Sequence, residues 1–295
     1  MHIPVLLTET IKALNIKKNG IYLDLTIGLG GHSKAILKEL NGSGFLYGFD
    51  QDQEAINKAK ENLKDYHNFK IIKANFKDFK ANLKKEGIEK VDGILIDLGV
   101  SSLQIDNSQR GFSYMVDGPL DMRMDRDNPL TAESILNSYS EAQLINILKE
   151  YGEIYYAKPL VTEIIKKRPL KTSFDLVKIT DKFKVRKGHS AKQVFQALRI
   201  YLNDELTVLK LMLDDALEVL NQGGRIACLT FHSLEDKIVK DKFKAVTEEK
   251  IIKGLPTLPK EMPFKYYKKK ILPSIKEVKS NPRSKSAILR AIIKN

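Results

Sequence analysis

One stretch near the beginning of the 295-residue chain, residues 22–32, constrains the fold more than any other part of the sequence. It has the sequence YLDLTIGLGGH, in which an apolar run leads into three glycines, and helical spacing of apolar residues follows from Ser33 to Leu40. Glycine lets a backbone turn sharply and approach a ligand closely. The stretch therefore predicts a strand, a tight turn and a helix, which together form the first unit of a nucleotide-binding α/β fold.

The glycine turn departs from the dinucleotide-binding pattern G-x-G-x-x-G, because Ser33 stands where that pattern has its third glycine. Asp24, at the end of the strand, would repel a pyrophosphate but can accept hydrogen bonds from an amine or from hydroxyl groups. A cofactor with a cationic amino-acid end and no phosphates fits these residues better. S-adenosylmethionine meets that description, and the alternative is a glycine turn that binds no ligand.

Three further apolar runs, at residues 45–50, 69–74 and 91–99, alternate with helical patterns and predict parallel strands covered by helices on both faces. Asp50 and Asp97 stand at the ends of two of these strands, as Asp24 stands at the end of the first. Because ligands bind outside the carboxyl ends of parallel strands, we expect the three aspartates to border one site. Any one of them alone is more often a turn residue or a helix cap.

The pattern changes after Asp97 to a long polar loop, and from Thr131 onward only helical patterns follow, ending in a continuous helix from Ala191 to Leu220. The glycine pair 223–224 ends that helix, a buried strand at 225–231 resumes the sheet, and a last strand is expected at 286–293. The chain is therefore predicted to form a discontinuous domain of residues 1–107 and 200–295, interrupted by a helical domain of residues 108–199.

Basic residues concentrate in the C-terminal part of the chain. The formal net charge is +13, and residues 236–295 contribute 17 Lys and Arg against 6 Asp and Glu. A basic excess collected in one segment favours binding of a polyphosphate such as nucleic acid. The alternative is a compositional preference, because lysine is abundant throughout the sequence.

The remaining composition narrows the class of protein. The single cysteine, Cys228, excludes an internal disulfide and a cysteine-rich zinc site, and we expect no metal. No signal-peptide pattern is present, and no apolar run approaches the roughly 18 residues of a membrane helix. We expect a cytoplasmic protein without membrane association.

Seven motifs, in a fixed order along the chain, resemble those of one family. They are HIPVLLTE at 2–9, GLGGHS at 28–33, DLGVSSLQID at 97–106, RGFSY with DGPLDMRMD between 110 and 125, FQALRIYLNDEL at 195–206, FHSLED at 231–236 and NPRSKSAILR at 281–290. The chain is similar over its whole length to the RsmH (MraW) family of S-adenosylmethionine-dependent cytosine-N4 methyltransferases of small-subunit ribosomal RNA.

The resemblance implies a class I (Rossmann-like) methyltransferase sheet with an inserted all-helical domain. It also implies cofactor contacts in the glycine turn, at the strand ends and in the following segments, namely Gly28, Gly30, Gly31, His32, Asp50, Phe76, Asp97 and Gln104. Thr26 stands where methyltransferases at large have a first glycine, and DLGVSS replaces the Pro-Pro-aromatic motif of many amino-methylating enzymes. The identity of the catalytic groups is therefore left open.

Methyl transfer to the exocyclic N4 of a cytosine requires hydrogen-bond acceptors on the amine, because its lone pair is delocalised into the ring. We expect these acceptors among Asp97, Ser101 and Ser102, with His232 also within reach. The alternative is that Asp97 holds only the cofactor and that the serines only cap a turn. His32 begins a helix, whose positive dipole end disfavours an imidazolium, so we expect a neutral ring there.

The substrate is expected to contact the long loop and the basic residues. Arg110, Phe112, Tyr114 and Arg123 are candidates for holding the target base. Candidates for phosphate contacts are His189, Lys192, Arg199, Arg283, Lys285 and the run 268–270. The alternatives are aromatic residues that pack inside the protein and lysines that are only solvated.

The resemblance implies methylation of a specific cytidine in 16S ribosomal RNA within the assembled small subunit, by a monomer or a homodimer. Three other functions stay open from the residues: a methyltransferase acting on DNA cytosine, a cofactor-binding assembly factor that occupies RNA, and a nicotinamide-dependent dehydrogenase.

Overall fold

The computed structural model describes residues 3–183, 188–249 and 261–295. The chain divides into two compact units: residues 1–99 with 206–295, here called the sheet unit, and residues 100–205, here called the helical unit. The sequence pattern predicts these boundaries at 107/108 and 199/200, so that residues 100–107 and 200–205 lie in the helical unit of the structure.

The sheet unit is built on seven strands within the described residues. They are β1 (Ile21–Asp24), β2 (Phe45–Asp50), β3 (Phe69–Lys73), β4 (Val91–Asp97), β5 (Leu220–Thr230), β6 (Phe264–Ile271) and β7 (Ile288–Lys294). Their order is β3-β2-β1-β4-β5-β7-β6, in which β1 to β5 are parallel and β7 is antiparallel to both of its neighbours. This is the Rossmann-like sheet that was expected for the fold class.

The α-helices of the described residues are numbered along the chain. They are α1 (Leu7–Leu14), α2 (Gly31–Leu40), α3 (Gln53–Asn62), α4 (Phe79–Lys85), α5 (Ser102–Asp106), α6 (Ala132–Ser138), α7 (Glu141–Gly152), α8 (Ala157–Lys166), α9 (Ser173–Thr180), α10 (Lys192–Leu202), α11 (Glu205–Val219), α12 (Ser233–Thr247) and α13 (Ile275–Ser280). None of these helices is both long enough and apolar enough to span a membrane.

Apolar side chains on both faces of the sheet explain why β1, β2 and β4 are largely apolar. One cluster of buried residues joins the sheet to α4, α11 and α12, and includes Phe79, Leu213 and Phe243. The other joins the sheet to α1, α2 and α3 and includes Leu14 and Ile36. Helices packed on both faces hold the strands of the sheet in place. The predicted site residues Asp24, Asp50 and Asp97 lie at the ends of β1, β2 and β4.

The helical unit has a core of its own, formed by α6 to α10 together with the loop that precedes them. Leu120 and Met122 from the loop are fully buried among helical residues such as Leu144 and Leu198. The predicted long loop is therefore ordered by packing. It also contains the short helix α5 and a 3-10 turn at Ser108–Arg110, which the sequence pattern did not predict.

The predicted continuous helix from Ala191 to Leu220 is wrong, because the chain breaks between α10 and α11. Asp204 has a left-handed backbone, with φ of 49°. The Asn203 side chain accepts a hydrogen bond from the Met124 amide (2.8 Å) and donates one to the Met122 carbonyl (3.0 Å). The helix therefore ends because Asn203 bonds to a loop that is distant in sequence. The spacing of apolar residues along the helix gives no sign of such a contact.

Two further predictions at the C-terminal part need correction. The pair Gly223 and Gly224 lies inside β5, which already begins at Leu220 and shifts register against β4 between Val91 and Gly93. Strand β6 was not predicted, and the run 268–270 lies in it. This strand carries six exposed or half-buried basic and aromatic side chains in succession, so it lacks the apolar run of the other strands.

Candidate functional site

The glycine turn connects β1 to α2 with a backbone that requires glycine. Gly28 and Gly30 have φ of 50° and 78°, in the left-handed region that side chains disfavour. At Gly31 the conformation is ordinary, but a Cβ atom would lie 2.5 Å from Cγ of Pro4. The glycines of this turn are therefore needed both for its shape and for the close approach of the N-terminal segment.

Asp24 lies beneath the turn, with 1% of its surface exposed. Its Oδ2 accepts a hydrogen bond from the Ser33 hydroxyl (2.6 Å) and its Oδ1 accepts one from the Thr26 amide (3.2 Å). Burial raises the pKa of Asp24 to about 6, against the effect of these hydrogen bonds. The expectation that Asp24 accepts hydrogen bonds from a ligand is therefore replaced by an internal role. Ser33, the departure from the dinucleotide pattern, is its partner.

Asp50 connects the end of β2 to the turn. Its Oδ2 accepts a hydrogen bond from the Gly28 amide (3.0 Å), and its Oδ1 accepts one from the Asp52 amide (2.9 Å). Burial raises the pKa of Asp50 to about 6, and the two amides oppose that rise. Because each carboxylate oxygen can accept two hydrogen bonds, the oriented carboxylate keeps capacity for hydroxyl groups of a ligand.

Asp97, at the end of β4, is held on two sides. Its backbone amide donates to the Thr26 hydroxyl (2.7 Å), and its Oδ2 lies 3.3 Å from Nδ1 of His32. Its Oδ1 is buried and has no hydrogen-bond partner among the described residues. A buried acceptor without a donor is costly, so this oxygen is the one at which a donor group of a ligand would be stabilised.

His32 is buried, and both of its ring nitrogens face acceptors. Nε2 lies 3.0 Å from the Val5 carbonyl oxygen, and Nδ1 faces Asp97. Burial lowers the pKa of His32, but the hydrogen bond and charge of Asp97, the charge of Asp24 and the Val5 carbonyl together raise it above its ordinary value. The expected neutral ring is therefore disfavoured by the structure, because the hydrogen bonds and charges around the ring outweigh the effect of its burial.

Phe76 opens a 3-10 turn, Phe76–Asp78, directly after β3, and packs partly against the core of the sheet unit. The preceding Asn75 side chain donates to the Gln51 side chain (2.9 Å), which links this segment to the residue that follows Asp50. The structure therefore brings Phe76 to the same edge of the sheet as Asp50.

His232, at the end of β5, is the N-cap of α12. Its Nδ1 accepts a hydrogen bond from the Glu235 amide (3.4 Å) and its Nε2 lies 2.9 Å from Glu235 Oε1. Oε2 of Glu235, which is 2% exposed, accepts from the Phe231 amide (2.9 Å). The cap is His232 rather than Ser233, and a role of His232 as a base would require this cap to open.

Ser101, Ser102 and Gln104 lie at the start of α5 in the helical unit. Ser101 and Gln104 form a capping box: the Gln104 amide donates to the Ser101 hydroxyl (3.3 Å), and the Ser101 amide donates to Gln104 Oε1 (3.0 Å). Ser102 is buried in the first turn. The two polar groups at this helix start therefore fix each other, and their contacts with a cofactor or a base stay predictions.

Three arginines predicted to contact the substrate form hydrogen bonds within the helical unit. Arg110 is fully buried and donates to the carbonyl of Arg123 (2.9 Å). Arg123 binds Asp121 through two hydrogen bonds of 2.9 and 2.8 Å. Arg199 forms two hydrogen bonds with Glu205, of 2.7 and 2.8 Å. Arg110 is therefore enclosed by the unit, whereas Arg123 and Arg199 keep 21% and 15% of their side chains exposed, and contact of these groups with RNA stays a prediction.

The other substrate candidates are divided between packing and the surface. Phe112 is buried, and Arg110 lies over its ring at 5.9 Å. Tyr114 stacks on His189 with ring centroids 4.5 Å apart, and burial raises the pKa of the tyrosine. Exposed candidates for phosphate contacts are Lys192 on α10 and, in the 3-10 turn Pro282–Ser286, Arg283 and Lys285.

The structure therefore brings together two groups of predicted residues in the sheet unit: Gly28 with Asp50, and His32 with Asp97. The sequence pattern missed Val5, whose carbonyl oxygen lies 3.0 Å from Nε2 of His32. Thr26 was visible as a departure from the usual glycine, and its bond to the Asp97 amide gives that departure a physical reason.

The whole chain, residues 1–295, matches a family model described as the MraW methylase family. It is similar to ribosomal RNA small subunit methyltransferase H of Mycoplasma capricolum, with 50% identity over 306 residues, covering 100% of this chain and 99% of the relative. It is also similar to ribosomal RNA small subunit methyltransferase H 1 of Acholeplasma laidlawii, with 51% identity over 293 residues, covering 98% and 97% of the two chains.

Proposed function

The chain belongs to the MraW methylase family, and on that premise we propose that it methylates the exocyclic N4 of one cytidine in small-subunit (16S) ribosomal RNA. The methyl donor is S-adenosylmethionine and the substrate is the assembled small subunit. The observation that carries the proposal is the family match over residues 1–295, supported by about 50% identity to relatives named ribosomal RNA small subunit methyltransferase H. The N4 position rests on the seven sequence motifs.

The sheet unit fits S-adenosylmethionine at the carboxyl edge of β1, β2 and β4. The left-handed glycines at 28 and 30 allow close backbone approach, and Asp50 can accept hydroxyl hydrogens. The buried Oδ1 of Asp97 can accept from an amine. When bound, the cofactor supplies a methyl group on a positively charged sulfur. The turn offers no phosphate-binding glycine at Ser33, which disfavours the dinucleotide alternative.

Asp97 has two possible roles in this reaction. It can hold the amine of the cofactor, or it can accept a hydrogen bond from N4 and stabilise positive charge that develops there. Asp97→Asn separates the roles by steady-state kinetics. An increase in the KM for S-adenosylmethionine at nearly constant kcat indicates cofactor binding, and a fall in kcat at nearly constant KM indicates a contact with the base.

The helical unit and the basic C-terminal residues are proposed to recognise RNA, with the predicted recognition domain at residues 108–199. A target base must leave its stack before a methyl group can reach it, and aromatic side chains stabilise such a base. The exposed residues Lys192, Arg283 and Lys285 are the candidates for the phosphates around it.

The test is methylation with labelled S-adenosylmethionine of three substrates: assembled small subunits, protein-free 16S RNA and duplex DNA. We expect labelling of the small subunits, located by mass spectrometry to N4 of a single cytidine, and loss of labelling with Asp97→Ala. Preferential labelling of DNA would contradict the proposal. Labelling of RNA at a position other than cytosine N4 would contradict the chemistry while retaining the class of substrate.

A further inference from the structure

We propose that His32 is a buried imidazolium that positions Asp97, and that the N-terminal segment of residues 3–6 provides its second hydrogen-bond acceptor. The charge state follows from the geometry of the protein alone. Its consequence for cofactor binding rests on the proposed function. His32 acts here through Asp97, so it is a positioning residue and takes no part in the bond changes.

The geometry of the ring determines its protonation. The two acceptors are the Val5 carbonyl, 3.0 Å from Nε2, and Asp97 Oδ2, 3.3 Å from Nδ1. A neutral imidazole has one N–H group and one lone pair, so it satisfies one of these oxygens and turns a lone pair towards the other. Only the doubly protonated ring donates to both. The His32 side chain is 6% exposed, so its ring nitrogens depend on these two groups for hydrogen bonds.

The charges around His32 agree with this assignment. Asp97 faces the ring from β4, Asp24 acts on it from β1, and the N-terminal segment contributes the neutral Val5 carbonyl. The first turn of α2 contains no acidic residue. On the far side of the segment, α13 contributes Glu277, bonded to the Leu6 amide. Two nearby carboxylates and one carbonyl compensate for burial, and the pKa of the ring is raised.

The N-terminal segment is itself held in place by the C-terminal part of the chain. The Leu6 amide donates to Glu277 Oε1 (2.6 Å), and the Asn281 side chain donates to the Ile3 carbonyl (3.0 Å). The Pro4 ring packs against Gly31. These contacts fix the direction of the Val5 carbonyl, so they determine where His32 donates its second proton.

The charge of His32 affects Oδ1 of Asp97, the oxygen that has no hydrogen-bond partner among the described residues. Because His32 donates to Oδ2, the carboxylate is held in one orientation, in which its buried Oδ1 is left to accept from a ligand donor. A neutral residue at position 32 removes the compensating charge. Asp97 then loses the hydrogen bond and the positive charge that orient its carboxylate, and an amine finds a less well oriented acceptor.

The charge state is tested by NMR titration of the full chain labelled in its histidine rings. The His32 resonance is identified by its absence in His32→Gln, with the exposed His67→Gln as the matched control. We expect His32 to be doubly protonated at pH 7 and to lose its proton at lower pH in Asp97→Asn than in the wild type. A neutral His32 ring in the folded wild type at pH 7 would overturn the proposal.

The positioning role is tested by calorimetric binding of S-adenosylmethionine. His32→Gln is expected to weaken binding about tenfold while the far-UV circular dichroism is retained, and His67→Gln to leave it unchanged. Glu277→Ala, distant from the ring, is expected to weaken binding and to lower the pH at which His32 titrates. Unchanged affinity in folded His32→Gln refutes the positioning role. Absence of binding to the wild type refutes the proposed function, and the titration still decides the charge of His32.

Discussion

The hydrogen bond between Ser33 and Asp24 gives a stability prediction whose size depends on pH. In the folded protein Asp24 is buried and its pKa is about 6, so it is ionised at pH 8 and protonated at pH 5. Ser33→Ala removes the 2.6 Å bond to its Oδ2. A bond to a charged group contributes about 1.5–3 kcal/mol and a neutral one about 0.5–1.5 kcal/mol. We expect Ser33→Ala to lower the free energy of unfolding by about 1 kcal/mol more at pH 8 than at pH 5.

The assay is urea unfolding at both pH values, followed by circular dichroism. In an Asp24→Asn background, the pH dependence of the Ser33→Ala effect should disappear, because position 24 no longer titrates. The exposed Ser43→Ala serves as the control and should change stability by no more than about 0.5 kcal/mol. An equal effect of Ser33→Ala at pH 5 and pH 8 would refute the reasoning.

The raised pKa of Asp24 also determines whether the stability of the wild type rises or falls with pH. Because burial raises its pKa from an ordinary value of about 3.9 to about 6, the folded state binds a proton more tightly than the unfolded state does. The contribution of Asp24 to stability is therefore fully present below pH 4 and is lost as the pH rises through 6. Measuring the free energy of unfolding of the wild type and of Asp24→Asn across this pH range separates the contribution of Asp24 from those of the other titrating groups.

Three further predictions concern other contacts. Arg290→Met leaves Asp236 without its two 2.8 Å hydrogen bonds and should lower the free energy of unfolding by about 3–5 kcal/mol, measured in urea. Gly31→Ala places a Cβ atom 2.5 Å from a proline ring, and should cost about 1–3 kcal/mol of stability and weaken S-adenosylmethionine binding by calorimetry. Arg283→Ala with Lys285→Ala should reduce the salt dependence of RNA affinity in filter-binding assays, and an unchanged slope would exclude phosphate contacts there.

The strands β1, β2 and β4 could be predicted from the sequence because burial on both faces requires apolar side chains in succession. The bounds of β2 agree with its apolar run, Phe45–Asp50, since the acid that ends the run also ends the strand. Strand β6 could not be predicted in this way, because among the described strands it lies at the edge of the sheet and pairs with β7 alone. A basic sequence is compatible with an edge strand, and such residues also discourage pairing with other chains.

The helix break and the charge of His32 depend on contacts between residues far apart in sequence. Asn203 ends α10 through carbonyl and amide groups of the loop at 122–124, and helical periodicity is continuous across it. At His32 the helix start alone predicts a neutral ring. Asp97 and the Val5 carbonyl reverse that prediction, and their approach is set by the sheet and by the N-terminal segment. The local sequence pattern therefore predicts helices, strands and the residues at strand ends. The protonation state of a buried side chain can be inferred only from the contacts of the folded protein.

The bond between Leu6 and Glu277 spans 271 positions of the sequence, and the bond between Ile3 and Asn281 spans 278. During synthesis at about 5–20 residues per second, the N-terminal segment waits on the order of tens of seconds before its partners leave the ribosome. Until then the Val5 carbonyl has no fixed direction, and His32 has no settled second acceptor. Glu277 and Asn281 thus complete the site that residues 3–6 begin, so a chain that ends before them can form much of the sheet without a finished cofactor site.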